Sequence, residues 1–113
     1  MVVDQWGDAE VDRLFQAFAD TTRRDIVAKV TVAEQSVSAL ASHYAMSFAA
    51  VQKHVAVLER ADVIEKHKRG REQIVRVRLG TIAKARALLD TYEEIWRHRV
   101  DRIDDIIGEN KKG

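Results

Sequence analysis

The chain has 113 residues, 46% of them hydrophobic and 33% charged, with 19 Lys+Arg against 18 Asp+Glu. That length fits one domain around one core, and the balanced charge is not that of a disordered chain. The absence of cysteine excludes disulfides, thiolate zinc sites and thiol nucleophiles, and five glycines with no proline favour a mostly helical fold over a turn-rich β fold.

Val11, Leu14, Phe15 and Phe18 recur at steps of three and four and predict a first helix over about residues 9–19. Asp20-Thr21-Thr22 supplies cap chemistry for a second helix, with Ile26, Val27 and Val30 inward and Arg23, Arg24 and Lys29 outward. Val32 to Gln35 reads as a polar connection. Ser36 caps a short helix bearing Val37, Leu40, Ala41 and Tyr44, and Ala45-Met46 makes a tight joint. Ser47 then caps a longer helix through Ala61, with Val51, Val55 and Leu58 on one face. Beyond Val63 and Ile64 the period changes. Val75, Val77 and Leu79 alternate with Arg76 and Arg78, as in a half-buried strand, and Gly70 suits the tip of a hairpin. Gly80-Thr81 ends the strand and opens a long helix to about Ile107, with Gly108 as its stop and Glu109–Gly113 as a disordered tail.

This order of elements predicts a winged helix-turn-helix, mainly α with a two-stranded β-hairpin wing. It forms one domain over residues 1–113. The helix-turn-helix spans about 36–61, the wing about 63–79 and a C-terminal dimerisation helix about 81–107. Leu40 and Tyr44 face Val51 and Val55 across the motif, Ala41 is small where the helices cross, and Met46 plugs the turn. Ala45 stands where many such motifs carry a left-handed glycine, which implies a different turn or strain.

Several segments resemble the ArsR/SmtB-type bacterial transcription regulators. Asp20-Thr21-Thr22-Arg23-Arg24 is similar to that family's Asp-Pro-Thr-Arg-Arg, with Thr21 in place of proline. Val51-Gln52-Lys53-His54-Val55-Ala56-Val57-Leu58-Glu59 resembles its Val-Ser-x-His-Leu-x-Val-Leu-x recognition helix. Arg60-Ala61-Asp62-Val63-Ile64 is similar to its x-Ala-Gly-Leu-Val, and Arg69-Gly70-Arg71 to its wing-tip Gly-Arg. The likeness runs from about Leu14 to Leu79, with Gln52 for Ser and Asp62 for Gly as departures. It implies a transcription regulator, usually a repressor, dimerising through its terminal helices.

Charge and residue type point to duplex DNA independently. Residues 21–80 carry eleven bases against six acids, and Lys66 to Arg78 alone holds six bases and one acid. A basic surface of this kind suits a polyanion. At the start of the helix opened by Ser47, Phe48, Ala49, Gln52 and Lys53 point outward, where a helix laid in the major groove meets base edges. Glutamine pairs with adenine, lysine donates to guanine or phosphate, and alanine packs on a thymine methyl. Lys68, Arg69 and Arg71 at the wing tip suit phosphates or the minor groove, and Ser38 and Ser47 suit phosphates. Each has a plainer role: Ser47 caps its helix with or without DNA, and Phe48 covers the core edge. A winged helix that binds protein instead of DNA would keep this fold but would need no basic wing.

The last helix carries an apolar stripe through Leu88 or Leu89, Tyr92, Ile95 or Trp96, Val100, Ile103 and Ile106 or Ile107. It is longer than a domain of this size can cover, so a homodimer is expected. Trp6, Phe15 and Phe18 are expected to add to the interface begun by Tyr92, Trp96, Val100 and Ile103. His54 reads as a packing histidine. His98, with Glu94 and Asp101 on one helix face, reads as a solvated stripe rather than a metal site. No catalytic set is legible, and no cofactor, metal or enzymatic activity is expected. With no apolar run of ~20 residues and no signal peptide at Met1, a cytoplasmic chain is expected.

Overall fold

The computed structural model describes the backbone of residues 6–112 and the side chains of residues 6–108. Its elements are α1 (Asp8–Phe18), α2 (Thr21–Val32), β1 (Gln35–Ser36), α3 (Val37–Ala41), α4 (Phe48–Arg60), β2 (Ile64–Arg69), β3 (Glu72–Val77) and α5 (Leu79–Lys112). Helix starts are set by local chemistry. The side chains of Asp20, Ser36 and Ser47 accept from the backbone N–H of Arg23, Ala39 and Ala50 at 2.9, 3.0 and 3.1 Å. Each bond satisfies a donor that has no partner inside the helix.

Helix α4 runs through the centre. Val51, Val55 and Leu58, at steps of four and three, are all but inaccessible and meet Leu14, Ile26, Leu40, Ile64 and Val75 from the surrounding elements. Helix α4 ends in a Schellman cap: Val63 N–H donates to Leu58 O and Asp62 N–H to Glu59 O, both at 3.0 Å. Val63 and Leu58, the apolar pair that such a cap brings together, are both fully buried. Asp62 takes the left-handed conformation (φ 59°) that the cap demands. The family's glycine at this place therefore has a backbone reason, and aspartate is among the few other residues that visit the region.

The wing is the expected two-stranded hairpin, β2–β3, and a short third strand joins its sheet. The sheet has three antiparallel strands in the order β1-β3-β2, because Gln35 and Ser36 pair with Val75 and Ile74. The β2–β3 hairpin runs from Ile64↔Val77 to Arg69↔Glu72, leaving Gly70 and Arg71 as a two-residue turn. Gly70 has φ 62°, the pattern of a type II′ turn with glycine first. Strand β3 stops at Val77, so Leu79 belongs to α5 and not to the strand.

Three further expectations are corrected. Met46 is 36% exposed and does not plug the turn, in which Ala45 is not left-handed, the different turn that alanine implies. Instead Tyr44 fastens it, donating its hydroxyl to Asp25 Oδ2 at 2.6 Å with the Lys29 ammonium 5.1 Å from its ring centroid. Arg23 does not point away from the body but turns back onto the end of α1, whereas Arg24 is exposed as expected while donating to Phe18 O. Finally, α5 passes through Gly108 to Lys112 instead of stopping near Ile107 before a disordered tail. Its 34 residues extend ~51 Å at 1.5 Å each. Its first turns pack on the core through Ile82, Ala85 and Leu88, and the rest stretches the molecule to 74 × 30 × 22 Å. No helix among the described residues is long and apolar enough to cross a membrane.

Candidate nucleic-acid interface

The N-terminal half of α4 has two faces. Val51 and Val55 are buried, while Ser47, Phe48, Ala49, Gln52 and Lys53 are all exposed. A four-residue step thus separates the face that holds the helix from the face it shows. Ser38, exposed on α3, lies beside this surface. Between α4 and the hairpin is a cleft of about 400 Å³ whose lining includes Ser38, Phe48, Gln52, Lys66, Arg71 and Gln73. The fold therefore gathers Ser38, Phe48, Gln52 and Arg71, drawn from three separate segments, around one groove. Ser47, Ala49, Lys53, Lys68 and Arg69 lie outside its lining.

Lys66 and Gln73 were not singled out by sequence, although the alternation of the hairpin contained the signal. Lys66 stands opposite Val75, and Lys68 opposite Gln73, so these four share the sheet face that also carries Ile64. Arg69, Arg76 and Glu65 occupy the other face. There Glu34 accepts from Arg69 at 2.9 Å and from Arg76 at 3.0 Å. The Arg69 guanidinium, with Arg76 beside it, holds the Glu34 carboxyl below the usual carboxylate range. Arg69 is thus engaged within the chain, whereas no ion pair to Arg71 occurs among the described residues. The two wing-tip arginines that sequence treats alike are placed in different electrostatic settings.

A second surface lies between α1 and α5. Leu14, Phe15 and Phe18 of α1 and Ile82, Ala85 and Leu89 of α5 line an apolar groove of about 450 Å³. Beyond it Tyr92, Ile95, Trp96, Ile103, Ile106 and Ile107 are 45–61% exposed along α5, and Val100 is half-buried. An uncovered apolar strip of this length is unusual for an isolated chain. Trp6 is not part of it, since it is 8% exposed and packed in the chain's own core. His54 is half-buried, between Arg23 and Asp20. Among the described residues no three His, Asp or Glu side chains converge as metal ligands.

A helix-turn-helix whose second helix is exposed on one face, flanked by a cationic β-hairpin, defines a winged helix-turn-helix protein. Comparison with known proteins narrows the class. No protein-family model and no curated protein matches the chain, but solved structures do. An ArsR-like transcriptional regulator from Rhodococcus sp. RHA1 is 32% identical, covering 87% of this chain and 92% of that one, with a TM-score of 0.77. A possible transcriptional regulator for arsenical resistance is 35% identical over 80% of this chain and 95% of that one, with a TM-score of 0.65. A homodimeric winged helix-turn-helix DNA-binding domain from Mycobacterium bovis shares the fold at 20% identity, covering 77% of this chain and 82% of that one, with a TM-score of 0.62. The chain belongs to the ArsR family of transcriptional regulators.

Proposed function

We propose that the protein is a cytoplasmic, homodimeric repressor that reads a two-fold-symmetric site on duplex DNA, with the whole chain acting as one domain. The observation that carries this reading is the exposed row Phe48, Ala49, Gln52 and Lys53 on a helix whose opposite face is locked in the core, beside a basic hairpin. Gln52 and Lys53 read base edges, Ala49 and Phe48 pack against them, and Ser38 and Ser47 meet phosphates. Lys68, Arg69 and Arg71 supply wing contacts to the backbone. Phe15 and Phe18 with Tyr92, Trp96, Val100 and Ile103 join two copies, which brings two α4 helices to successive major grooves. Repression follows from occupancy, because a dimer across two grooves excludes other proteins from that DNA. The neighbour from Mycobacterium bovis is itself a homodimer, which supports the assembly.

The test is selection of a preferred site from a random duplex pool, followed by footprinting of the full chain. The expected site has a dyad, with half-site centres ~10 bp apart or at a multiple of that. Affinity should fall linearly with salt on logarithmic axes. A footprint without a dyad, or binding indifferent to salt, would refute the proposal and favour a protein partner for the same surface.

A further inference from the structure

Arg23 makes more side-chain contacts between helices than its position at the start of α2 suggests. Its Nε donates to Ala17 O at 2.8 Å and its Nη2 to Gln16 O at 2.9 Å, two carbonyls at the end of α1. Carbonyls of a last helical turn lie at the negative end of the dipole, which suits a guanidinium, and Gln16 O also accepts from the Ala19 N–H at 3.1 Å. The remaining nitrogen, Nη1, lies 3.3 Å from His54 Nδ1, in the middle of α4. With its proton on Nε2, the imidazole accepts this bond at Nδ1. Asp20 completes the cluster: it caps α2 through the Arg23 N–H, and its carboxylate lies 3.9 Å from His54 and 4.0 Å from the Arg23 guanidinium. One side chain thus joins α1, which carries Phe15 and Phe18 of the apolar groove, to α4, which carries Gln52 and Lys53. His54 directly follows Lys53, and its own side chain is only 23% exposed.

We infer that Arg23 and His54 are positioning residues that set the recognition helix against α1, so that base discrimination depends on a contact that never touches DNA. The inference rests on the reading of α4 given above. A guanidinium fork can hold two carbonyls and an imidazole at once, whereas an ammonium cannot reproduce that planar arrangement. When the link is broken, α4 keeps its buried apolar face but loses the bond that fixes its rotation and slide. Base-edge hydrogen bonds, which tolerate little displacement, then weaken before phosphate contacts do.

The experiment compares Arg23→Lys, His54→Leu and His54→Gln in the full chain on the selected site and on a scrambled duplex, across a salt series. The expected result is a fall of about tenfold in the preference for the selected site in Arg23→Lys and His54→Leu, as for groups coupled in one hydrogen-bond network. His54→Gln should restore it, because its amide oxygen can accept in place of Nδ1. The salt slope should stay unchanged, since the wing cations are untouched. Sedimentation and the unfolding midpoint identify any variant that fails to fold, and the His54 pair carries the test if Arg23→Lys does. A preference kept by His54→Leu, or an equal loss on both duplexes with a changed slope, overturns the inference alone. Failure of the unaltered protein to prefer any sequence overturns the reading of α4 and the inference with it.

Discussion

Replacing a glycine by alanine usually stabilises a protein, and at position 62 the structure predicts the opposite ranking. Asp62 sits at φ 59° because the Schellman cap of α4 requires a left-handed residue there. A side chain with a Cβ costs about 1–2 kcal/mol in that region, with aspartate at the low end because its short polar group bonds locally. Glycine removes that cost but loses about 0.4–1 kcal/mol through the freedom it adds to the unfolded chain. The Asp62–Arg78 contact, 3.6 Å long with side chains 64% and 48% exposed, is a minor third effect. Asp62→Gly should therefore lie within about 0.5 kcal/mol of the original, and Asp62→Ala about 1 kcal/mol below Asp62→Gly. For a chain of this size that gap is about 4 °C or somewhat more in the melting temperature. Thermal unfolding followed by circular dichroism at fixed protein concentration measures it, with Arg78→Ala as the control for the ion pair. Alanine equal to or above glycine at position 62 would refute the account of the cap.

On the selected DNA site, Gln52→Ala should cost about 1–3 kcal/mol and relax preference at one base position, as read by competition among single-base variants. Arg71→Ala should instead weaken all sequences and lower the salt slope by about one, while Arg69→Ala does so fully only in a Glu34→Gln background. Equal slopes for the two arginine variants with Glu34 intact would show that Glu34 does not hold Arg69. Acid should destabilise the fold below about pH 4, because Asp20, Asp25, Glu34 and Glu65 have carboxyls held below their ordinary values of 3.8 and 4.5. The causes, in order, are the Arg23 N–H, Lys29, Arg69 and His67. Stability from these groups is present above the unfolded-state values and lost as pH falls through the lower folded ones, so urea midpoints that rise between pH 5 and 3 would contradict it. Trp96→Asp should shift the proposed dimer to monomer in sedimentation, and an unchanged mass would place the interface elsewhere.

The helices around the exposed face of α4 were legible in the sequence because their signals are local. Serine or aspartate at a cap and apolar residues at steps of three and four act within a few residues of one another, so Ser47 and the Val51–Val55–Leu58 row announced α4 directly. Alternation likewise announced β3. What escaped was non-local. Gln35 and Ser36 become a strand only by pairing with β3, about 40 residues on, and two residues have no period to read. Glu34 engages Arg69 and Arg76, 35 and 42 residues away, so the difference between the wing-tip arginines cannot be inferred from a basic run. Arg23 and His54 meet across 31 residues. Gly108 looked like a stop because glycine often ends helices, yet it ends one only where the backbone turns left-handed, and α5 does not turn there. Local sequence determined which segments are helical and which faces are apolar. Only the folded arrangement, by bringing distant charges and carbonyls within bonding distance, decided which polar side chains are held inside the chain and which are left exposed.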